Sequence, residues 1–140
     1  MDNSIETKYY ENGNIKSESD RINKTNKTFY ENGTQKSYNK TNTSETINYD
    51  EKGRKTYHSY STKENGWCEE YFENGLITSK ICDSSDHLQQ TNYYKNGKLD
   101  YYEVRDHTKH EMRKYDRNNK LLSTDKMTYP NSLPTPKTNN

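Results

Sequence analysis

The chain has 140 residues, with 22 Lys and Arg against 21 Asp and Glu and a formal net charge of +1. This length suits one domain, and the balanced charge argues against the basic surface of a nucleic-acid binder. No run approaches the roughly 18 consecutive apolar residues of a membrane-spanning helix. The first residues have neither the positive nor the apolar region of a secretory signal, so we expect a cytoplasmic protein without a transmembrane segment.

A short motif recurs along the chain in six units, in which an aromatic residue precedes a turn residue by four positions. The turn residues are Gly13, Gly33, Gly53, Gly75, Gly97 and Asn119, at spacings of 20, 20, 22, 22 and 22 residues. The aromatic residues are Tyr9, Phe29, Tyr49, Tyr71, Tyr93 and Tyr115. Four of the units contain Asn-Gly, which is typical of a two-residue type I′ hairpin turn because both residues tolerate a positive φ.

A second set of turn residues lies between these anchors, at 20–24, 39–42, 63–66, 83–86 and 105–108. The segments between the turns are short and rich in Tyr, Thr, Ile and Phe, which favours strands, and no segment has a sustained helical period. The sequence therefore predicts an all-β fold, a single-layer, twisted antiparallel meander of about six β-hairpin repeats over residues 5–127. Residues 1–4 and the proline-containing tail at 128–140 are predicted to be disordered.

A two-residue turn places the residue three before each anchor opposite the residue two after it. The predicted pairs are Tyr10–Ile15, Tyr30–Gln35, Asp50–Lys55, Phe72–Ile77, Tyr94–Leu99 and Asp116–Leu121. The six recurring aromatic residues would then point to the other face, together with Tyr38 and Tyr102. A three-residue loop with a bulge would shift this register, so that alternative stays open.

The chain shows no catalytic constellation and no cofactor-binding motif, and we expect a protein that is not an enzyme. Cys68 and Cys82 are diagonal neighbours on opposite faces in the predicted register, so free thiols are favoured over a disulfide. His107 and His110 form an HxxH pattern, but on a hairpin turn the two rings need not converge, and no metal site is predicted.

The aromatic residues carry the functional hypothesis. A single-layer sheet leaves one side of each ring in water, so we expect marginal stability and a protein partner docked on one face, with self-association as a further expectation. Tyr supplies rigid contact area with a polar tip, which suits protein recognition. The predicted anchors are Tyr10, Tyr30, Phe72, Tyr94 and Tyr102.

The fourth unit resembles a MORN-variant repeat, in which a short Gly-Trp strand leads into a Tyr-Tyr-Glu-Asn-Gly hairpin. The resemblance rests on the residues at 64–67, including Gly66-Trp67, and on the segment at 70–79, and the segments at 9–18 and 92–100 look like the hairpin half of the repeat. Such repeats occur in YwqK-type antitoxins and immunity-like proteins. The resemblance covers roughly residues 5–127 and implies a toxin-neutralising, protein-binding role.

Two other repeat families share features with this chain. The segments at 49–54 and 115–119 look like the YD repeats of large secreted toxin shells, although six units are too few to enclose anything. The Tyr-Tyr-x-Asn-Gly hairpins also resemble choline- and glucan-binding repeats, in which aromatic rings cage a quaternary ammonium or stack on a sugar. Those repeats are rich in Trp and exported, whereas this chain has one Trp.

Overall fold

The computed structural model describes residues 4–84 and 86–128, which form a 12-stranded antiparallel sheet. Each strand pairs with its neighbours in the chain, so the sheet is an open, single-layer meander, as predicted. The described residues contain no helix long and apolar enough to cross a membrane. The segments 1–3 and 129–140, which include most of the two predicted disordered ends, lie outside the described residues.

The strands are short at the N-terminal end and longer in the middle of the sheet. They are β1 (Ile5–Tyr9), β2 (Ile15–Asp20), β3 (Thr25–Phe29), β4 (Gln35–Lys40), β5 (Glu45–Tyr49), β6 (Lys55–Thr62), β7 (Gly66–Glu73), β8 (Leu76–Asp83), β9 (Leu88–Lys95), β10 (Lys98–Asp106), β11 (Glu111–Asp116) and β12 (Leu121–Lys126).

The turns at the recurring anchors are of two kinds. In the fourth and fifth hairpins, Asn74 and Asn96 have positive φ angles of 54° and 55° ahead of glycine, which is the predicted type I′ turn. In the first hairpin Asn12 has no positive φ, and the Gly13 amide donates to the Tyr10 carbonyl at 3.0 Å. This is a three-residue loop, and the second, third and sixth hairpins follow it.

Every one of these hairpins also carries a β-bulge in its second strand, three residues after the turn glycine or its equivalent. The extra residues are Lys16, Lys36, Thr56, Thr78, Asp100 and Leu122. A bulge sets two residues of one strand against one of its neighbour, so the pairing beyond it shifts by one residue.

The pairing next to the turn depends on the loop type, so the predicted register is right in the two hairpins with two-residue loops and wrong in the four with three-residue loops. Phe72 lies opposite Ile77 and Tyr94 lies opposite Leu99, as predicted. In the other four hairpins the recurring aromatic residue takes the paired position, because the loop has three residues and the residue after the aromatic pairs with the one that follows the turn residue, as Tyr10 does with Asn14. The observed pairs are Tyr9–Ile15, Phe29–Gln35, Tyr49–Lys55 and Tyr115–Leu121.

Contrary to the prediction, Asp50 does not face Lys55 but forms an ion pair with Arg54. The Arg54 Nε lies 2.8 Å from the Asp50 Oδ2, and the main-chain amides of Lys52 and Arg54 both donate to the Asp50 Oδ1 at 2.9 Å. The Asp50 carboxylate therefore accepts hydrogen bonds within its own loop and does not pair with a side chain on the opposite strand.

A disulfide joins Cys68 and Cys82, so the expectation of free thiols is wrong. The error comes from the bulge at Thr78, which adds one residue to β8 between the turn and Cys82. Without that residue Cys68 would lie opposite Ile81. With it the two cysteines are direct cross-strand partners, and their Cα atoms are 4.1 Å apart.

The sheet has very little interior. Cys68 is the one apolar residue among those described that is buried from solvent, and the polar residues Ser59 and Thr91 are each only 3% exposed. Most rings are partly covered by their neighbours on the same face and partly open to water. A second layer of structure, which would normally cover one face of a sheet, does not occur in the described part of the chain.

Candidate binding surface

The register divides the aromatic side chains between two faces, because residues directly opposite each other share a face and successive residues alternate. We call one the Phe72 face. It carries Phe72, Tyr94 and a cross-sheet row formed by Tyr38, Ile47, His58, Glu70, Lys80, Asn92, Tyr102 and Tyr115. The other is the Tyr57 face, with a row formed by Tyr57, Tyr71, Ser79, Tyr93 and Tyr101.

This division confirms the prediction for four of the six recurring aromatic residues and corrects it for two. Sharing the Phe72 face with Tyr38 and Tyr102 are Tyr9, Phe29, Tyr49 and Tyr115. Tyr38 and Tyr102 do not join Tyr71 and Tyr93, which lie on the Tyr57 face. Tyr102 instead shares the Phe72 face with Tyr115, and their rings stack with centroids 5.0 Å apart. Both faces carry rings, as expected for a single layer.

Three of the five predicted anchors meet on the Phe72 face, namely Phe72, Tyr94 and Tyr102. The Lys55 ammonium lies 5.4 Å from the centroid of the Phe72 ring, a cation–π contact. The Tyr94 hydroxyl accepts from the Asn92 amide at 3.3 Å. The Tyr102 hydroxyl donates to the Asn119 Oδ1 at 2.7 Å, which ties the ring to the sixth turn.

The other two predicted anchors, Tyr10 and Tyr30, do not join this group. Each directly precedes a three-residue loop, and each hydroxyl donates to a main-chain carbonyl of the next hairpin, at Phe29 (2.6 Å) and Tyr49 (2.8 Å). Asn12 makes a parallel connection to the Glu31 carbonyl at 2.9 Å. Tyr10 and Tyr30 therefore link successive hairpins through their polar ends.

A polar cluster lies at the centre of the Phe72 face, around His58. The His58 Nε2 is 2.8 Å from the Glu45 Oε2, and its Nδ1 is 3.5 Å from the Glu70 Oε1. The Tyr60 hydroxyl donates to the other oxygen of Glu70 at 2.7 Å, and the Lys80 ammonium is 4.0 Å from that same oxygen. The cluster offers a partner both hydrogen-bond donors and a carboxylate, in side chains already oriented by one another.

A shallow groove continues from this cluster toward β11, and we call it the Leu88 groove. Its two adjoining cavities have volumes of about 130 and 210 Å³ and share Leu88 and Val104. Cys82 and Gln90 line one end, and Tyr115 lines the other, where Arg113 also contributes. The groove combines apolar walls with one charged end, beside Arg113, which suits a side chain or backbone segment of another protein.

The Tyr57 face is organised by acid–phenol contacts. The Tyr57 hydroxyl donates to the Glu69 Oε2 at 2.7 Å, and the Tyr93 hydroxyl donates to the Glu103 Oε1 at 3.3 Å. Arg105 is 3.2 Å from that same Glu103 oxygen. These polar groups are paired with one another, as those of the His58 cluster are.

The surroundings of the phenols raise their pKa values. Burial, followed by the hydrogen bond to Glu69, raises the pKa of Tyr57 above its ordinary 10.0. Burial and then the bond to Glu70 do the same for Tyr60, and burial and the charge of Glu103 raise the pKa of Tyr93. At neutral pH these hydroxyls are therefore protonated donors.

The histidine pattern that the sequence singled out lies in the turn between β10 and β11. The His107 amide donates to the His87 carbonyl at 2.9 Å, and the His110 carbonyl accepts from the Met127 amide at 2.8 Å. Both residues thus contribute main-chain bonds between adjacent hairpins. Within residues 4–84 and 86–128, no group of three His, Cys, Asp or Glu residues is arranged to hold a metal ion.

Sequence reasoning missed the His58 cluster and the Leu88 groove. Both depend on strand register that the sequence did not fix, since His58–Glu70 joins strands of neighbouring repeats and Gln90–Val104 lies beyond the bulge at Asp100 in the fifth hairpin. Comparison with protein-family models and with curated proteins finds no match for this chain.

Proposed function

We propose that this chain is a non-enzymatic protein-binding module that docks a partner on the Phe72 face. The observation that carries the proposal is the grouping of Phe72, Tyr94 and Tyr102 on one face, beside the His58 cluster and the Leu88 groove. Half-exposed aromatic rings next to oriented polar groups match the composition of protein interfaces. A sheet with so little interior also gains stability from any partner that covers its rings.

The resemblance to antitoxin and immunity-like repeats supports a partner that is a cognate toxin. In that role the module acts by occlusion, covering the toxin's functional surface and leaving its chemistry to the toxin. A rigid sheet is suited to this, since its side chains are spaced by the main-chain hydrogen bonds of neighbouring strands.

The test uses the product of a gene adjacent to the one that encodes this chain. Co-expression of this chain should relieve the toxicity of that product, and the purified proteins should form a complex. Phe72→Ala and Tyr94→Ala should each weaken the complex by about 10-fold or more, as expected for aromatic anchors. Tyr71→Ala is the matched control, because Tyr71 lies on the Tyr57 face and is 39% exposed.

The folded state of each variant is checked by circular dichroism before binding is measured. A folded Phe72→Ala, Tyr94→Ala double variant that binds with unchanged affinity would show that the Phe72 face is not the docking surface. Selective loss in Tyr71→Ala would place the partner on the other face. Binding of choline or a glucan by the purified protein, with loss in the same two variants, would replace the protein partner with a small ligand.

A further inference from the structure

The first strand of the sheet has one edge that no described strand covers. Just outside the two ends of β1, the Ser4 carbonyl accepts from the Arg21 amide and the Tyr10 amide donates to the Asn14 carbonyl, each at 2.8 Å. Both bonds lie on the side of β1 that faces β2. Main-chain groups of successive residues in a strand point to alternate sides. The amides and carbonyls of Ile5, Thr7 and Tyr9 therefore point away from β2, along the open edge.

The side chains of this strand are arranged symmetrically about Thr7. Glu6 and Lys8 flank Thr7 with opposite charges, and Ile5 and Tyr9 follow with apolar side chains. Ile5 is 52% exposed and Tyr9 is 61% exposed, among the highest values for large apolar residues in the described chain. An edge strand that ends in two exposed apolar residues is a surface that proteins usually protect.

We propose that two copies of this chain pair through β1, antiparallel, with a two-fold axis at Thr7. In this register Ile5 lies opposite the partner's Tyr9, and Glu6 lies opposite the partner's Lys8. Each opposed pair then matches an apolar residue with an apolar residue, or an acid with a base, and the symmetry repeats the match on the other side of the axis.

The main-chain geometry agrees with the same register. Thr7 opposes the partner's Thr7 and Ile5 opposes the partner's Tyr9, and these are the residues whose amides and carbonyls point outward. Each opposed pair of this kind exchanges two hydrogen bonds. The two charged residues fall at the alternate positions, where side chains of an antiparallel pair come closest.

The open edge of β12 is a poorer match for β1. If β12 met β1 in the register that joins β2 to β3 and β4 to β5, where the hairpins on both sides have three-residue loops, Asp125 would lie opposite the partner's Glu6. Like charges directly opposite one another destabilise a strand pair. The charge pattern therefore favours a closed dimer over the open filament that head-to-tail pairing would build.

Charge exchange tests the register directly, with sedimentation over a wide range of protein concentration as the measurement. Glu6 and Lys8 face Ser19 and Ser17 of β2, so charge substitutions there leave the fold intact. Glu6→Lys alone and Lys8→Glu alone should each weaken the homodimer roughly 10-fold or more, because two ion pairs become two like-charge pairs. An equimolar mixture of the two variants should form a heterodimer, and the double variant should recover the homodimer.

One proline substitution on each edge strand supplies the control. The Thr7 amide points outward, so Thr7→Pro removes an intermolecular donor without removing a bond to β2, and it should abolish the dimer. Thr124→Pro is the matched change on β12, where the outward direction follows from the 2.8 Å bond of Met127 toward β11, and it should leave the dimer unchanged. A wild-type chain that stays monomeric up to millimolar concentration would overturn the proposal. So would a dimer that resists Thr7→Pro and the charge reversals, or one lost in Thr124→Pro.

Discussion

Reduction of the Cys68–Cys82 disulfide should lower the free energy of unfolding by up to about 3 kcal/mol. The two cysteines are 14 residues apart in sequence, and a closed loop of about 15 residues removes about 3 kcal/mol of chain entropy from the unfolded state. This is an upper value, because residual pairing of the same hairpin in the unfolded chain would already restrict the loop. Cys68 is also the one buried apolar residue in the described part of the chain, so the bond sits where the sheet is best packed.

The assay is urea unfolding followed by tyrosine fluorescence and circular dichroism, with and without a phosphine reductant. The reduced protein should unfold at a lower urea concentration, and its thermal midpoint should fall by roughly 10 °C. A Cys68→Ser, Cys82→Ser double variant is the control, since its unfolding should not respond to the reductant. Unfolding free energies of the oxidised and reduced protein that agree within about 0.5 kcal/mol would refute the loop-entropy argument.

Three further perturbations test other parts of the structure. Because burial raises the pKa values of Tyr57 and Tyr60 above the ordinary 10.0, their protonated forms stabilise the fold below pH 10, and this contribution is lost as the pH rises through the folded values. Absorbance at 295 nm should then show phenol ionisation coinciding with unfolding. Hydrogen bonds from the Arg54 and Lys52 amides lower the pKa of Asp50 below its ordinary 3.8. The ionised carboxylate therefore stabilises the fold above pH 3.8, and this stabilisation is lost as the pH falls through the lowered pKa. Asp50→Ala should reduce the loss of unfolding free energy at acid pH. Gly66→Ala should destabilise by more than the roughly 1–2 kcal/mol of a left-handed residue alone, because a Cβ would meet the Asp83 carbonyl oxygen. Gly13→Ala, with nothing within 4 Å of its Cβ, measures the conformational cost by itself.

The hairpin architecture could be predicted because it is encoded locally. Each repeat contains its own turn chemistry and its own aromatic residue, so six short segments independently indicate the same structure. A meander joins each strand to the next one in the chain, and no long-range pairing had to be guessed. The strand order of the sheet follows from those two facts.

The register could not be predicted because Asn-Gly is compatible with both observed loops. In the fourth hairpin Asn74 adopts a positive φ of 54°. In the first hairpin the Asn12 side chain instead accepts from the Asn14 amide at 2.9 Å, and only Gly13 takes a positive φ. A signal did exist at Asp50, because Asp is favoured at the first position of a type I turn.

A one-residue change in strand register also changes the candidate site. A bulge at Thr78 moves Cys82 opposite Cys68, which turns two expected thiols into a cross-strand bond. The same shift, repeated through the sheet, separates Tyr10 from Phe72 and brings Tyr102 to the Phe72 side. Side-chain identity alone does not assign a face when the period of two is interrupted by an extra residue in every hairpin.

A sheet in which each hairpin contacts only its neighbours has a stability that is close to a sum of local terms. Its end strands are then the weakest elements, because among the described strands each has one neighbour where every internal strand has two. Pairing of β1 with a second copy would give that strand the neighbour it lacks, and a partner on the Phe72 face would cover rings that the single layer leaves half-exposed. Both events stabilise the folded chain in proportion to the logarithm of ligand concentration over its dissociation constant. Folding and the two proposed contacts are therefore linked by the same shortage of buried surface, and each contact should raise the free energy of unfolding of the chain.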